Sequence, residues 1–168
     1  MNFSNQKNRG ALRTKYDQSR MNLLLVAIFS LINIVMLASG SLRYFLFSAA
    51  LPYYLVDVGM SLCGRYPEEM YEGGYAAYEF LDNSVFFVLL AVAIIIVIGY
   101  ILLFFLSSKG RSGWLIAALI FFIIDTVIMF WVNGFAFSGI IDMVFHAWVI
   151  VSLAIGLVDH YRRGAMQE

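Results

Sequence analysis

Four long apolar runs, Met21 to Ser39, Val85 to Leu106, Trp114 to Val132 and Ile140 to Val158, alternate with polar segments along the chain. Each is long enough to cross a hydrocarbon core of about 30 Å at about 1.5 Å per helical residue. Strands of a transmembrane β-barrel would alternate polar and apolar residues over shorter stretches, which the unbroken run Ala91-Val-Ala-Ile-Ile-Ile-Val-Ile98 does not do. The pattern predicts an all-α polytopic membrane protein, an antiparallel bundle of four transmembrane helices over 21–39, 85–106, 114–132 and 140–158. A basic tail of residues 1–20 precedes this single membrane domain of residues 21–168, and residues 159–168 form a short tail after it. Ala38-Ser-Gly40 offers small residues near a possible signal-peptidase cut. The apolar run before it is longer than a signal core, and its removal would leave an odd number of spans, so it is read as a span.

The segment between the first two spans, residues 40–83, departs from this simple pattern. Tyr44 to Leu62 is nearly long enough to cross, yet it holds Pro52 in its middle, Asp57 near its end and Arg43 at its start. The expectation is a re-entrant or interfacial helical pair hinged at Pro52, with Tyr44, Phe45, Phe47, Tyr53 and Tyr54 at headgroup level. It would form a partial lid, from residue 43 to 82, over the outer face of the bundle. Tyr66 to Phe80 then reads as a solvated acidic loop leading into a short helix, with Asn83 or Ser84 near the start of the second span.

Composition agrees with a membrane protein: 62% of the residues are hydrophobic and 13% charged, and the mean hydropathy is +0.82. The zero net charge conceals a segregation. Lys7, Arg9, Arg13, Lys15 and Arg20 precede the first span, Lys109 and Arg111 lie between the second and third, and Arg162 and Arg163 follow the fourth. Asp57, Glu68, Glu69, Glu72, Glu79 and Asp82 lie in the long segment instead, against Arg43 and Arg65. The positive-inside rule therefore places both termini of this multi-pass protein in the cytoplasm and the acidic segment outside. The lipid bilayer is the obvious partner, and the basic tail is suited to anionic headgroups. Nucleic acid is not expected, because no aromatic residues interleave the basic ones for base stacking. Cys63 is the only cysteine, which excludes an intrachain disulfide and a cysteine-based metal site.

Ionisable residues inside these runs are the best pointer to chemistry, since a charged carboxylate near a bilayer centre costs roughly 2.5–3.5 kcal/mol on insertion scales. Asp142 and His146 stand four apart in the fourth span, on one helical face. Asp125, with Thr126 beside it, is in the third span, and Asn33 is in the first with Ser30 on the same face. Counting inward from the outer ends places Asp125, His146 and Asn33 at a common depth of roughly 10–12 Å. The second span adds nothing to this layer from Val85 to Gly99 and is expected to be the most lipid-exposed. Asp57, Glu79 and Asp82 are placed to add oxygen ligands from above.

Each of these residues also has a structural reading. Asp142 suits a helix N-terminus, Asn33 an interhelical hydrogen bond, and His146 a bond to a neighbouring helix. Trp114, Trp131 and Trp148 suit packing or interfacial anchoring, and Ser152 with Gly156 suits close helix contact or self-association.

Three function classes follow. Asp125, His146 and Asp142 are candidates to bind a divalent cation, zinc or another transition metal rather than calcium, or to carry a proton. Four spans with two acids near the outer face resemble the architecture of the lipoprotein signal peptidases, although that family's Asn- and Asp-containing blocks are absent around Asp125 and Asp142. The third class is a non-catalytic accessory subunit that binds a membrane-protein partner or a second copy of itself, and the leading expectation is binding of a ligand, ion or partner through an outward-facing intramembrane polar pocket. Tyr44-Phe-Leu-Phe-Ser with Pro52-Tyr-Tyr-Leu-Val-Asp57, Ile124-Asp-Thr126 with Met129-Phe130, and Ile141-Asp-Met-Val-Phe-His-Ala-Trp148 together resemble small four-helix bacterial integral membrane proteins of no assigned function. That resemblance implies four helices in a cytoplasmic membrane and no particular activity.

Overall fold

The structure, a computed structural model, describes residues 3–41, 47–134 and 140–165. Its α-helices are α1 (Phe3–Ala38), α2 (Ala50–Leu62), α3 (Asn83–Leu106), α4 (Ser112–Asn133) and α5 (Ile140–Gly164). Among the described residues there is no strand, and α1, α3, α4 and α5 are the four helices long and apolar enough to cross a membrane. The expected all-helical bundle of four spans is therefore present. α1 packs against α5 and α3, α3 against α4, and α4 against α5, so the four spans close a ring in chain order. α2 enters that ring and touches α1, α3 and α4.

Helix ends explain much of this arrangement, because the terminal backbone groups of a helix have no partner within it and must find one elsewhere. α1 stops at Gly40, whose φ of +82° suits glycine. The Gly40 amide there donates to the Leu37 carbonyl and the Ser41 amide to that of Met36, the paired bonds of a Schellman motif. At the other end of the bundle, side chains of α1 close the last turn of α3. Tyr16 donates to the Ser107 carbonyl at 2.8 Å, and Arg20 donates to the Phe104 carbonyl at 3.0 Å and to Ser107 Oγ at 3.1 Å. Arg20 also lies over the Phe104 ring.

α1 and α5 meet through small residues. Ser19 Oγ donates to the Ser152 carbonyl at 2.6 Å, and Asn22 Nδ2 donates to Ser152 Oγ at 2.6 Å. A β-carbon at Gly156 would lie 2.3 Å from Ser19 Oγ, which fixes how near the two helices come. The Ser152 and Gly156 pair thus serves close contact within the chain.

Several boundaries differ from those the sequence suggests. Residues 3–20 are helical and continuous with the first span as the N-terminal half of α1, and α5 continues through Gly164 into the residues after the fourth span. α3 starts at Asn83 with Asp82 as its N-cap, the Asp82 carboxylate accepting from the Ser84 amide at 2.8 Å. Those hydrogen bonds hold the Asp82 carboxyl below the usual carboxylate range. The most hydrophobic stretch of α3 is 22% buried, the lowest share among the four spans, in keeping with the lipid exposure expected of it.

The outer segment also differs in detail. Pro52 is not a hinge between two helices: it sits in the first turn of a single helix, α2, where its missing N–H leaves no bond unmade. Residues 63–82 then form a cap with two short 3-10 turns, Glu68–Met70 and Tyr75–Ala77, in place of a loop leading to a short helix. The Tyr71 ring packs against Tyr75, Tyr78 and Phe80 with centroids 5.2–5.4 Å apart. The Tyr66 hydroxyl donates to Asp57, and burial together with that bond pushes the Tyr66 phenol well above its ordinary range. Cys63, itself buried, donates its thiol to the Asp82 carbonyl at 3.3 Å. The cap therefore closes onto the C-terminal end of α2 and the start of α3.

Candidate functional site

The N-terminus of α2 lies inside the bundle, where its free amides cannot turn to water. Ala49, at the N-cap, is fully buried, and Ser48 and Ala50 are nearly so. Every N–H of the first turn is nevertheless accounted for. The Ala49 amide donates to Ser30 Oγ at 2.8 Å, Ala50 to Asp125 Oδ2 at 2.9 Å, and Leu51 to Asp125 Oδ1 at 2.8 Å. The next residue, Pro52, carries no N–H. Ser30 passes its own hydroxyl proton to the Val26 carbonyl at 2.7 Å, and Asn33 Nδ2 donates to Ser48 Oγ at 2.8 Å just before the helix begins.

Asp125 is thus the capping residue of a helix it does not belong to. An amide left unsatisfied in such surroundings costs about 1–3 kcal/mol, and a carboxylate at a partly buried helix N-terminus gains up to about 2 kcal/mol from the helix dipole. The same carboxylate meets His146, whose Nε2 lies 3.2 Å from Asp125 Oδ2. Both side chains are sealed from the surroundings, Asp125 at 2% and His146 at 1% exposure.

The hydrogen count of this pair follows from its neighbours. His146 Nδ1 lies 2.8 Å from the Asp142 carbonyl oxygen, which can only accept, so Nδ1 carries a hydrogen. The Nε2 to Oδ2 contact then needs a second hydrogen, on one atom or the other. Either distribution, imidazolium with carboxylate or imidazole with carboxylic acid, leaves the buried pair with no net charge. The Phe122 ring stacks on the imidazole at 5.0 Å and 20°, and Phe145 meets it edge-on at 5.8 Å.

The structure gathers some of the expected residues and disperses others. Asp125, His146 and Asn33 do belong to one layer, with Ser30. Asp142 reaches His146 through its backbone carbonyl rather than its carboxylate, and it lies in the first turn of α5, where the dipole favours an acid. Thr126 turns back to donate to the Phe122 carbonyl of its own helix at 2.8 Å. Asp57 is engaged by Tyr66 and Asp82 by α3, while Glu79 is exposed in the cap. Phe47, expected at headgroup level, instead packs against Phe145 at 4.6 Å beside the polar layer, with a left-handed φ of 76° at the turn into α2. Arg43, Tyr44 and Phe45 lie outside the described residues.

A divalent cation does not fit this arrangement. Two backbone N–H groups and the positive end of α2 already point at the Asp125 oxygens, so a cation there would meet like charge. Among the described residues, no three His, Cys, Asp or Glu side chains come together as a metal-holding group. The geometry of an aspartyl hydrolase, two carboxylates across a water, also differs, since the ionisable partner of Asp125 is an imidazole.

Two contributors escape a reading of the side-chain pattern. Ser48 supplies the hydroxyl that receives Asn33. Tyr100, on α3, is fully buried and packs edge-on against Phe121 and Phe122. Among the described residues its hydroxyl has no hydrogen-bond partner. α3 therefore borders the layer, through the residue immediately after Gly99, whose ring packs on the Phe122 ring that stacks on His146.

No protein-family model matches the chain, and neither a curated protein nor a solved structure is detectably similar to it. Fold and site together define a multi-pass helical membrane protein whose buried acid caps a helix inserted into the bundle.

Proposed function

We propose that the chain is a non-enzymatic accessory subunit of a cell membrane, which presents its acidic outer cap to a basic segment of a partner membrane protein. In this reading both ends of the chain face the cytoplasm, as the segregation of basic residues favours. One observation supports it above the rest: both oxygens of Asp125 and both ring nitrogens of His146 are engaged by groups of this same chain. The intramembrane charges then serve to hold α2, and α2 holds the cap. Glu68, Glu69, Glu72 and Glu79 are exposed on that cap around its packed tyrosines, a preorganised surface complementary to positive charge. The test is a photo-crosslinking residue in place of Tyr78, which is exposed, in native membranes. A discrete adduct with a different protein is expected, and it should vanish when the four glutamates are changed together to Gln while Cys63 stays shielded from maleimide. An adduct only with a second copy of the chain, or one indifferent to the glutamates, would contradict the proposal.

A second reading, a proton-linked role, is favoured by the buried Tyr100 hydroxyl, which has no partner among the described residues and belongs to a ring packed on Phe122, the ring that stacks on His146. Buried hydroxyls of this kind commonly bond to an internal water, which would extend the polar layer toward the other face. Vesicles containing the protein and an internal pH-sensitive dye decide it. A proton flux abolished by Tyr100→Phe would favour this reading over the accessory one, whereas an unchanged background rate would set it aside.

A further inference from the structure

A groove of about 340 Å³ runs along the junction of α1 and α5, away from the Asp125 layer. Lys15 and Gln18 line one end, just before the apolar run that begins at Met21, so that end lies on the headgroup side. Ser19, Asn22 and Ser152 form a polar stretch next, joined by the hydrogen bonds that bring α1 against α5. Ile155 flanks this polar stretch, and Val151 with the exposed ring of Trp148 lines the far end. The Lys15 ammonium lies 3.5 Å from Asp159, which fixes the register of the two helices, and from Asp159 to Trp148 α5 rises about 16 Å. The groove therefore runs from a cationic mouth, through hydrogen-bonding groups flanked by Ile155, to an apolar end at Val151 and Trp148.

We propose that this groove is a binding site for an anionic phospholipid of the leaflet on the Lys15 side. Its gradient follows the order of groups along such a lipid: phosphate, glycerol and ester, then acyl chain. Lys15 keeps half of its side chain exposed despite the contact with Asp159, so its ammonium retains donors for a phosphate oxygen. Arg162 and Arg163 follow one turn beyond Asp159 at the same end of α5. Juxtamembrane lysines and arginines attract anionic headgroups in general. The groove adds a fixed place for the chain beneath the headgroup, so selectivity is expected here and not around the whole protein.

Trp148 reports on the site directly. In the full-length chain with Trp114→Phe and Trp131→Phe, reconstituted in phosphatidylcholine vesicles, brominated phosphatidylglycerol is expected to quench Trp148 several-fold more effectively than brominated phosphatidylcholine at equal fractions. Lys15→Gln should bring that ratio close to one without disturbing the fold. A chain retaining only Trp114, which lines a wholly apolar groove between α3 and α4, should show no preference. Equal quenching of Trp148 by the two lipids, a preference that survives Lys15→Gln, or the same preference at Trp114 would each overturn the proposal.

Discussion

Replacing Asp125 with alanine is expected to destabilise the protein by about 3 kcal/mol or more, because three buried polar groups each lose a partner at about 1–3 kcal/mol apiece. The substitution strands the amides of Ala50 and Leu51 and leaves His146 Nε2 without its oxygen. α2 should then leave the bundle, and the cap should loosen with it. Cys63 provides the readout because it is the only cysteine and is buried where α2 meets the cap. Its reaction with maleimide should become rapid in Asp125→Ala. Asp125→Asn should cost less, about 1–2 kcal/mol, since the amide oxygen still accepts from one backbone N–H and the amide nitrogen can donate to Nε2. The order Ala worse than Asn distinguishes a capping acid from one needed only for its charge, for which the two would be equal.

A comparable loss is expected from Gly156→Val, at the other side of the bundle. Even the first carbon of a side chain there would lie 2.3 Å from Ser19 Oγ and 2.7 Å from Ser19 Cβ, so α1 has to move. Overpacking of this kind costs about 1–3 kcal/mol. The two hydrogen bonds to Ser152 that depend on the close approach add about 1 kcal/mol each. Denaturation in detergent should show the loss, with Gly156→Ala less affected and partly restored by Ser19→Gly. Gly113→Ala is the matching control: it is also a helical glycine, but nothing lies within 4 Å of the added carbon, and its stability should hold or rise slightly.

Much of this fold is legible in the chain because lipid imposes a simple rule, that apolar runs of sufficient length become helices. That Asp125 and His146 stand level with one another is legible too, since counting from the span ends needs only the helical rise. The partner of Asp125 is not. Its acceptors go to backbone amides of Ala50 and Leu51, and a backbone amide has the same signature at every residue. Pro52 was the available clue: a proline in a first turn reads as a helix start, whereas a proline read as a hinge splits the segment in two. Tyr100 escapes for a different reason. Side chains on α3 lean toward its N-terminus, so a tyrosine counted below the layer reaches upward toward it. The Asp142 and His146 spacing is misleading in the same physical way, because residues four apart on a helix are also joined by the carbonyl of the first, and here that carbonyl is what fixes the imidazole.

The central claim is that the buried acid of α4 caps the inserted helix α2. Hydrogen exchange of the Ala50 and Leu51 amides in the reconstituted protein tests it most directly. First-turn amides of a helix ordinarily exchange freely, having no partner within it. Capped by Asp125 they should be protected as strongly as amides in the middle of α2, and Asp125→Ala should remove that protection while leaving amides of α3 unchanged. Rapid exchange at Ala50 and Leu51 in the unaltered chain, or protection that persists in Asp125→Ala, would contradict the account.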